Sequence, residues 1–416
     1  MSIHNDSRLL DVAERLQPPL LLLEDGAGRG PSLLAWGCHE HHRVPWSAAA
    51  PVGLERFAPA DGWFGAIAYD LGLPPKARRR APPVTQPVLD LFRPAHRLIV
   101  NPDGSVVAST REARAQWRAA APPSRSSRPS PPSPPSPPVS LGRSFTQEGF
   151  EAAVCAALEY IRAGDIYQVS LSVAERVRTA EPALAVYRRL RTLNPSPWMG
   201  YADFGDWQLV SGSPELLVEV RGGRARAKPI AGTRKKTGDR ATDAAMRREL
   251  VADAKEAAEH VMLVDLARND LGRIAEFGTV RVTAFRAVEE YRHVMHLVSE
   301  LVATPRRAVR PLDVFAALFP GGTITGCPKI RAMEIIAELE PVARGMYTGA
   351  LGWWERGAGQ WNILIRGAVV RGGEAVIQAG AGIVADSDPG REWKESLRKA
   401  AALREAFGLP DAAPPS

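Results

Sequence analysis

Residues 318–329 combine the residue types that an anion-binding turn requires. They read Leu-Phe-Pro-Gly-Gly-Thr-Ile-Thr-Gly-Cys-Pro-Lys, with an apolar run before them and a helical pattern from about Pro328. Proline favours the first helical position, and the free backbone N–H groups of a helix start lie at the positive end of the helix dipole. Thr323 adds a hydroxyl and Lys329 a full positive charge. These residues predict a seat for an anionic group, with an ordinary interhelical turn as the alternative.

The same residues do not match the motif of a nucleotide-binding phosphate loop, which is Gly-x-x-x-x-Gly-Lys-Ser/Thr. Gly321 and Gly326 have the required spacing, but Cys327 and Pro328 replace the lysine and the hydroxyl residue. We therefore reject a nucleotide loop at this position.

Two predicted helices each carry a pair of glutamates three residues apart, Glu256 with Glu259 and Glu392 with Glu395. Carboxylates at positions i and i+3 share a helix face and repel each other. A nearby cation relieves this repulsion, and Mg²⁺ accepts oxygen ligands from carboxylates, water and an anionic substrate. The two pairs are compatible with a Mg²⁺ site, although such pairs are also common on solvated helices.

Three further segments offer groups to an anionic substrate. Residues 228–234 end a predicted strand in Gly232-Thr233, which provides a backbone N–H and a hydroxyl. His296 lies in an apolar strand pattern, where a histidine is more often structural than catalytic. Tyr347 is followed by Arg366 in another apolar strand pattern. A charge in such a strand needs a fixed anionic partner, which is either an internal carboxylate or a ligand.

The elements that must position these groups alternate in type. Helices are predicted at 145–162, 182–193, 243–268, 313–340 (as a helix–turn–helix) and 392–407. Strands are predicted at 20–23, 65–69, 97–100, 166–173, 200–204, 207–212, 216–221, 224–229, 278–288, 295–301, 347–354, 362–370 and 375–379. Many strands in hairpins with long helices between them indicate an α+β fold with antiparallel or mixed sheets.

Composition excludes some classes of protein. The chain has 416 residues, is 45% apolar, and contains no run of about 18 apolar residues, so no membrane span is expected. Its three cysteines cannot build a disulfide framework, which fits a cytoplasmic protein. The net charge of +7 raises the alternative of a nucleic-acid-binding protein. The arginines are scattered without interleaved aromatic residues, so we expect no nucleic-acid partner.

A proline- and serine-rich tract divides the chain in composition. Residues 121–142 cannot pack a core and are predicted to be a disordered insertion. It separates an amino-terminal part, residues 1–120, from residues 143–412, which carry all of the candidate chemistry.

The chain resembles the chorismate-binding subunits of aminodeoxychorismate synthase and anthranilate synthase. The matching stretches occur in order at 164–169 (Gly-Asp-Ile-Tyr-Gln-Val), 194–197 (Asn-Pro-Ser-Pro), 212–215 (Gly-Ser-Pro-Glu), 229–234 (Pro-Ile-Ala-Gly-Thr-Arg), 264–270, 319–329 and 380–384 (Gly-Ala-Gly-Ile-Val). The resemblance implies one complex α+β domain of two large packed sheets with helices outside, to which both parts of the chain contribute.

The resemblance also implies roles for individual residues. The family's Mg²⁺ ligands match Glu259 and Glu395, with Glu256 and Glu392 beside them. The residues that bind the two carboxylates of chorismate match Gly232, Thr233, Tyr347, Arg366 and the Ala381-Gly382 pair. The catalytic candidates are His296, which assists departure of the C4 hydroxyl, together with Thr323, Lys329 and Gln168.

The residue at position 168, a glutamine, indicates which nucleophile attacks chorismate. Isochorismate and salicylate synthases carry a lysine at this position to activate water, and glutamine cannot act as that base. Ammonia is therefore the expected nucleophile. Because no part of the chain resembles a glutamine amidotransferase, a separate amidotransferase subunit is the expected partner.

The choice between the two ammonia-using enzymes depends on a few residues. The spelling of residues 319–326 resembles the aminodeoxychorismate enzymes, and Asp25 stands where tryptophan-inhibited anthranilate synthases carry serine. Ala231 argues the other way, because well-known aminodeoxychorismate synthases have there a lysine that is proposed to attack C2. We predict an aminodeoxychorismate synthase subunit, with anthranilate synthase as the close alternative.

Overall fold

The computed structural model describes residues 7–46, 62–120, 137–291 and 294–410. Their helices are α1 Arg8–Ala13, α2 Pro75–Arg80, α3 Arg111–Ala119, α4 Gln147–Arg162, α5 Ala183–Leu193, α6 Arg240–Ala252, α7 Ala254–Gly272, α8 Pro311–Leu318, α9 Lys329–Leu339 and α10 Pro389–Phe407. Two short 3₁₀ turns are at Tyr69–Gly72 and Gly322–Ile324.

Most of the remaining described residues are in strands. They are β1 Leu20–Glu24, β2 Ser32–Trp36, β3 Glu40–Val44, β4 Trp63–Ile67, β5 Leu89–Arg93, β6 His96–Val100, β7 Val106–Ala108, β8 Val139–Arg143, β9 Gln168–Arg178, β10 Trp198–Asp203, β11 Gln208–Ser213, β12 Leu216–Arg221, β13 Arg224–Ala227, β14 Ile230–Lys235, β15 Arg281–Glu290, β16 Val294–Ala303, β17 Gly326–Cys327, β18 Ala350–Glu355, β19 Ala358–Ile363, β20 Gly367–Arg371 and β21 Glu374–Ile383.

The strands form two antiparallel sheets. The first has the order β17-β9-β21-β20-β11-β10-β1-β2-β6-β7, with β8 also paired to β9. The second has the order β14-β16-β13-β12-β19-β18-β4-β5-β3, with β15 also paired to β16. The predicted α+β architecture of two large sheets with helices is confirmed.

Strand β1 illustrates how the sequence builds the layers. Successive side chains of a strand point to opposite faces of its sheet. Leu21 and Leu23 enter the core between the two sheets, whereas Leu20 and Leu22 pack with residues of α1, α5 and α10 on the outer face. Because both faces are covered, the strand is a continuous run of leucines rather than an alternating pattern.

Both parts of the chain contribute to each sheet. In the first sheet, β1 pairs with β10 through residues 20–24 and 199–203. In the second sheet, β4 pairs with β18 through residues 63–67 and 350–354. Residues before and after the proline-rich tract therefore share one hydrophobic core rather than forming independent units.

The predicted helix 243–268 is two helices, α6 and α7, that meet at Asp253. This residue has the extended backbone conformation that ends α6 (ψ 111°). Its carboxylate accepts a hydrogen bond from the Glu256 backbone N–H at 3.1 Å and also binds the Arg234 guanidinium at 3.0 Å. Aspartate favours such a capping position because its oxygen replaces the missing intrahelical acceptor. The break sets the direction from which α7 reaches the site.

The predicted strands 347–354 and 362–370 are also divided differently. Tyr347 precedes β18, and Arg366 lies in the connection between β19 of the second sheet and β20 of the first. Arg366 has a φ of 51°, a left-handed conformation that interrupts a strand. The prediction of one continuous strand at 362–370 was wrong, because the apolar sequence pattern continues through the connection that crosses from the second sheet to the first.

The predicted insertion, residues 121–142, lies partly outside the described residues, which resume at residue 137. Its last residues belong to β8, which pairs with β9 along residues 175–178. The Ser140 hydroxyl donates a 2.7 Å hydrogen bond to Glu175. The carboxyl-terminal boundary of the predicted insertion is therefore wrong, because backbone pairing with β9 orders residues that composition alone placed in the tract. Within the described ranges no helix is long and apolar enough for a membrane crossing.

Candidate active site

A cavity of about 200 Å³ gathers most of the predicted site residues. Its walls come from β9, β14, α7, β16, the turn before β17, the β19–β20 connection, β21 and α10. The predicted residues that line it are Gln168, Gly232, Thr233, Glu259, His296, Thr323, Tyr347, Arg366 and Gly382. A larger cavity of about 690 Å³, between the 82–86 and 341–345 segments, contains none of them. We therefore take the smaller cavity as the candidate active site.

Thr233, a predicted substrate-binding residue, and His296, a predicted catalytic residue, contact each other across β14 and β16. Gly232 has a φ of 81° at an irregularity in β14, which places Thr233 opposite His296. The Thr233 hydroxyl lies 2.9 Å from His296 Nδ1. Burial lowers the pKa of His296 to about 4, and the nearby charge of Arg366 adds to this effect. The imidazole is therefore neutral at neutral pH.

Glu215 is the main residue that the sequence analysis missed. It was only part of a matching stretch, but its carboxylate lines the cavity and accepts a 2.8 Å hydrogen bond from the Thr323 hydroxyl. Burial raises its pKa to about 7, although Thr323 and Arg366 oppose the shift. A carboxyl group with this pKa exchanges a proton near neutral pH. The signal available in the sequence was an acidic residue directly after an apolar strand and a proline.

Arg366 brings a positive charge to the cavity. The surrounding protein lowers the pKa of its guanidinium by desolvation, and Glu395 and Glu215 partly compensate. Tyr347 and the Gly382 backbone line the same cavity. Burial raises the pKa of Tyr347 well above its ordinary value, so its hydroxyl keeps its proton and can donate a hydrogen bond. These groups suit a carboxylate ligand.

Gln168 closes the cavity on the side of α7. Its amide nitrogen donates a 2.9 Å hydrogen bond to Glu259. Its buried carbonyl oxygen has no hydrogen-bond partner among the described residues. A buried acceptor without a partner is unfavourable, so the cavity offers this oxygen to an N–H or O–H group of a ligand.

Lys329 is not in the cavity, which corrects its prediction as part of an anion seat. Its ammonium donates to the Asp270 carboxylate at 2.6 Å and to the Leu318 carbonyl at 3.0 Å. This buried ion pair connects the start of α9 to α7, and Asp270 neutralises the positive charge of Lys329. Residues 318–329 serve the site through Thr323, while Lys329 has a structural position.

Ala381 is also misplaced in the prediction. It lies between Gly380 and Gly382 on β21, and only the two glycines line the cavity. Alternate residues of a strand face opposite sides, so the Ala381 side chain points away. A side chain at position 382 would displace the Gln168 amide, because an added Cβ would lie 2.7 Å from the Gln168 amide nitrogen.

Lys399 is a second residue that the sequence analysis missed. It lines the cavity from α10, donates to the Gly380 carbonyl at 3.1 Å and lies 3.6 Å from the Glu395 carboxylate. One turn of helix separates Lys399 from Glu395, so the lysine brings a positive charge to the face that carries a predicted metal ligand.

Comparison with known proteins decides the family. The family model described as chorismate binding enzyme matches residues 25–405, which is nearly the whole chain. The chain belongs to the chorismate binding enzyme family. The resemblance derived from the sequence motifs is thereby confirmed.

Individual curated relatives are similar to this chain over about two thirds of its length. Aminodeoxychorismate synthase component 1 of Bacillus subtilis is 47% identical over 271 residues, covering 65% of this chain and 58% of the relative. Anthranilate synthase component 1 of Aquifex aeolicus is 49% identical over 267 residues, covering 64% and 54%. The match therefore spans little more than half of either relative.

Solved structures of chorismate-binding enzymes cover the whole fold. Anthranilate synthase component I from Streptococcus pneumoniae has a TM-score of 0.75 at 28% identity, covering 97% of this chain and 99% of that one. The menaquinone-specific isochorismate synthase from Escherichia coli has a TM-score of 0.74 at 22% identity, covering 96% and 91%. The latter similarity concerns the fold alone.

The four glutamates predicted as metal ligands do not form a single cluster. Among the described residues, no group of three or more His, Cys, Asp or Glu could hold a metal ion. Glu256 accepts a 3.2 Å hydrogen bond from Arg234, and Glu392 accepts a 2.8 Å hydrogen bond from Ser387. Neither of these two glutamates lines the cavity, whereas Glu259 does.

Glu259 and Glu395 nevertheless fit a magnesium site of the usual kind. Mg²⁺ is typically held by one or two carboxylates, with water and substrate oxygens as the other ligands. Glu259 lines the cavity, and Glu395 is close enough to Arg366 on the cavity wall to raise its pKa. Glu259 on the cavity wall and Glu395 beside Arg366, on different helices, are the hard oxygen donors that would hold Mg²⁺.

Proposed function

We propose that the protein is the chorismate-binding subunit of an aminodeoxychorismate synthase, which replaces the C4 hydroxyl of chorismate with an amine. The observation that carries the proposal is a single cavity that contains Arg366, Tyr347, Gly232-Thr233 and Glu215. Chorismate is a dianion with a leaving hydroxyl group. The cavity offers separate donors for two carboxylates and a proton source for the hydroxyl.

We assign the two carboxylates to opposite walls. Arg366, Tyr347 and the Gly382 N–H bind the enolpyruvyl carboxylate, since a guanidinium and a phenol are strong donors to carboxylate oxygens. Gly232 and Thr233 bind the ring carboxylate. Glu259 and Glu395 would hold Mg²⁺ beside it, and a bound Mg²⁺ would neutralise the ring carboxylate and polarise the ring.

Glu215 is the proton donor of the proposed reaction. Hydroxide is a poor leaving group, and a general acid near its pKa is effective at neutral pH. The proton of Glu215 leaves with the hydroxyl group as water, while ammonia forms the new C–N bond and the resulting ammonium returns a proton to the carboxylate. Thr323 holds the carboxyl group, and neutral His296 orients Thr233 against the substrate. We thus assign to Glu215 the proton transfer that the sequence analysis gave to His296.

Ammonia as the nucleophile is supported by Gln168. An amide cannot take a proton from water, whereas its unpartnered carbonyl oxygen can accept a hydrogen bond from ammonia. We propose that a glutamine amidotransferase subunit supplies the ammonia. A relative of this chain is named component 1 of its synthase, which is consistent with a second component.

The second candidate function is that of anthranilate synthase. Ala231 lines the cavity, so the position at which a lysine would form an adduct at C2 carries an alanine side chain instead. Anthranilate synthase relatives are also as similar to this chain as the aminodeoxychorismate synthase relative. If the first proposal holds, the amine reaches C4 without a lysine adduct.

One incubation separates the two candidates. The protein is mixed with chorismate, Mg²⁺ and an ammonium salt at neutral and at alkaline pH, with EDTA in a matched control. We expect a product that yields 4-aminobenzoate only after a lyase is added. Fluorescent anthranilate released together with pyruvate would establish the second function instead, and no consumption of chorismate would contradict both.

A further inference from the structure

A fully buried ion pair lies directly behind the candidate active site. The side chains of Arg344 and Glu340 are 1% and 3% exposed. Arg344 donates two hydrogen bonds to the Glu340 carboxylate, of 2.8 Å to Oε1 and 3.0 Å to Oε2. Neither residue lines the cavity. The proposed chemistry gives this pair no role.

The guanidinium also binds two backbone carbonyls that belong to the cavity wall. Arg344 donates to the Ser170 carbonyl at 2.7 Å and to the Ile324 carbonyl at 2.8 Å. Ser170 follows Gln168 on β9, and Ile324 follows Thr323 in the 3₁₀ turn. One side chain therefore connects the element that carries Gln168 to the turn that carries Thr323.

The same side chain reaches the segment that carries Tyr347. Arg344 donates to the Thr348 hydroxyl at 3.3 Å, and its guanidinium carbon lies 5.7 Å from the centre of the Tyr347 ring. The planar guanidinium has five donors in a fixed geometry, which suits several acceptors in different directions. Three separate segments of the cavity wall thus meet at one residue.

Glu340 extends the connection to a fourth segment. Its Oε1 accepts hydrogen bonds from the Ser172 backbone N–H at 2.9 Å and from the Ser172 hydroxyl at 2.8 Å. The Gln378 amide donates in turn to the Ser172 hydroxyl at 2.9 Å. Gln378 is on β21, which also presents Gly380 and Gly382 to the cavity.

We propose that Arg344, held by Glu340, is a positioning residue for catalysis. It sets the relative positions of three cavity residues: Gln168, which accepts a hydrogen bond from ammonia in the proposed function, Tyr347, which binds a carboxylate of the substrate, and Thr323, which holds the Glu215 carboxyl group. The inference rests on that function for its kinetic consequence, but not for its structural one. Catalysis is sensitive to such positioning, because a displacement of about 1 Å can lower a rate by about 100-fold.

The alternative is a purely structural role, in which the pair only stabilises the fold. Arg404 with Glu175 is a matched control, because it is another buried ion pair, with side chains 7% and 6% exposed. Arg404 joins α10 to β9 and also donates to the Pro410 carbonyl. None of these contacts is with a residue that lines the cavity.

The kinetic test compares three variants. For Arg344→Met we expect kcat/KM for chorismate to fall by about 100-fold, and for Arg404→Met to stay within about threefold of the unaltered protein. The double variant Arg344→Met with Glu340→Met removes both charges, which commonly restores the stability lost when one partner is removed. We expect it to recover its melting temperature but not its kcat/KM. Recovery of both, or an equal kinetic loss in Arg404→Met, would overturn the proposal.

A second measurement does not depend on chorismate. The amides of Ser170 and Thr348 donate to the Thr325 and Leu364 carbonyls, respectively, beside the guanidinium. In hydrogen exchange we expect these amides to lose protection in Arg344→Met and to keep it in Arg404→Met. Unchanged protection at both amides in Arg344→Met would contradict the positioning role. If the unaltered protein does not consume chorismate, the proposed function fails, and the exchange result still decides whether Arg344 orders these segments of the cavity wall.

Discussion

Two titratable side chains of the cavity are shifted in opposite directions by the same environment. Burial disfavours charge, so it raises the pKa of the Glu215 carboxyl to about 7 and lowers that of the His296 imidazole to about 4. Near neutral pH the His296 imidazole is therefore uncharged, whereas the Glu215 carboxyl group is partly protonated, and only Glu215 carries a proton that it can release in that range. This separation decides which residue acts as the acid.

Replacing Glu215 tests this assignment. We expect Glu215→Gln to lower kcat by about 10²- to 10⁴-fold, the usual contribution of a general acid. Because the active form is protonated, the rate of the unaltered enzyme should fall as pH rises above about 7. In Thr323→Val this fall should move to higher pH, since the lost hydrogen bond favoured the ionised carboxylate. A pH profile of kcat that is identical in Thr323→Val and the unaltered enzyme would speak against Glu215 as the acid.

The role of His296 makes a separate prediction. In His296→Ala we expect both turnover and chorismate binding to fall, because Thr233, which binds the ring carboxylate in the proposed function, loses the partner that orients its hydroxyl. The rate should show no inflection from His296 above about pH 5, since its pKa is about 4. Turnover and calorimetric binding of chorismate measure the two effects. Unchanged turnover would remove His296 from the mechanism.

At the scale of elements, two helices approach one cavity from different parts of the chain. The break at Asp253 starts α7 beside β14, so that Glu259 reaches the cavity while Glu256 binds Arg234. Helix α10 contributes Glu395 and Lys399 one turn apart. We accordingly propose two metal ligands instead of four, Glu259 on α7 and Glu395 on α10.

Metal binding can be measured directly on these helices. Mn²⁺, followed by electron paramagnetic resonance, serves as a probe for the Mg²⁺ site. We expect Glu259→Gln and Glu395→Gln each to weaken Mn²⁺ binding by about tenfold or more, because loss of an anionic oxygen ligand weakens a site for a hard cation. Glu276→Gln is a control outside the cavity. Equal affinity in all three variants would contradict the assignment.

At the scale of the whole molecule, the fold depends on pairing between distant parts of the chain. Strands β1 and β10 pair across the proline-rich tract in one sheet, and β4 and β18 do so in the other. Each part alone would expose the strand edges and the apolar faces that the other covers.

A divided chain tests this interdependence. We expect residues 1–120 and residues 137–416, produced together as separate polypeptides, to co-purify as one folded complex. Each alone should lack a cooperative thermal transition. Circular dichroism and calorimetry of the separate and combined pieces provide the measurement. A cooperative transition in the isolated 137–416 piece would show that the second part folds independently.

The sequence by itself determined the family, the α+β class, most of the elements and most of the lining of the cavity. Hydrophobic periodicity and turn residues are local features of a sequence, so elements such as β1 and α4 can be predicted without knowledge of the fold. The sequence motifs also located Gln168, His296 and Arg366, since each residue type that suits a dianionic substrate can be recognised individually in the sequence.

Only the tertiary structure decided which polar groups share a space. Lys329 and Glu256 looked available in the sequence, yet Asp270 and Arg234 neutralise them. Glu215 looked ordinary until burial beside Thr323 shifted its pKa. The physical reason is that charge, desolvation and hydrogen bonding depend on neighbours that the fold brings together across long stretches of chain. No local sequence pattern specifies which residues become these neighbours.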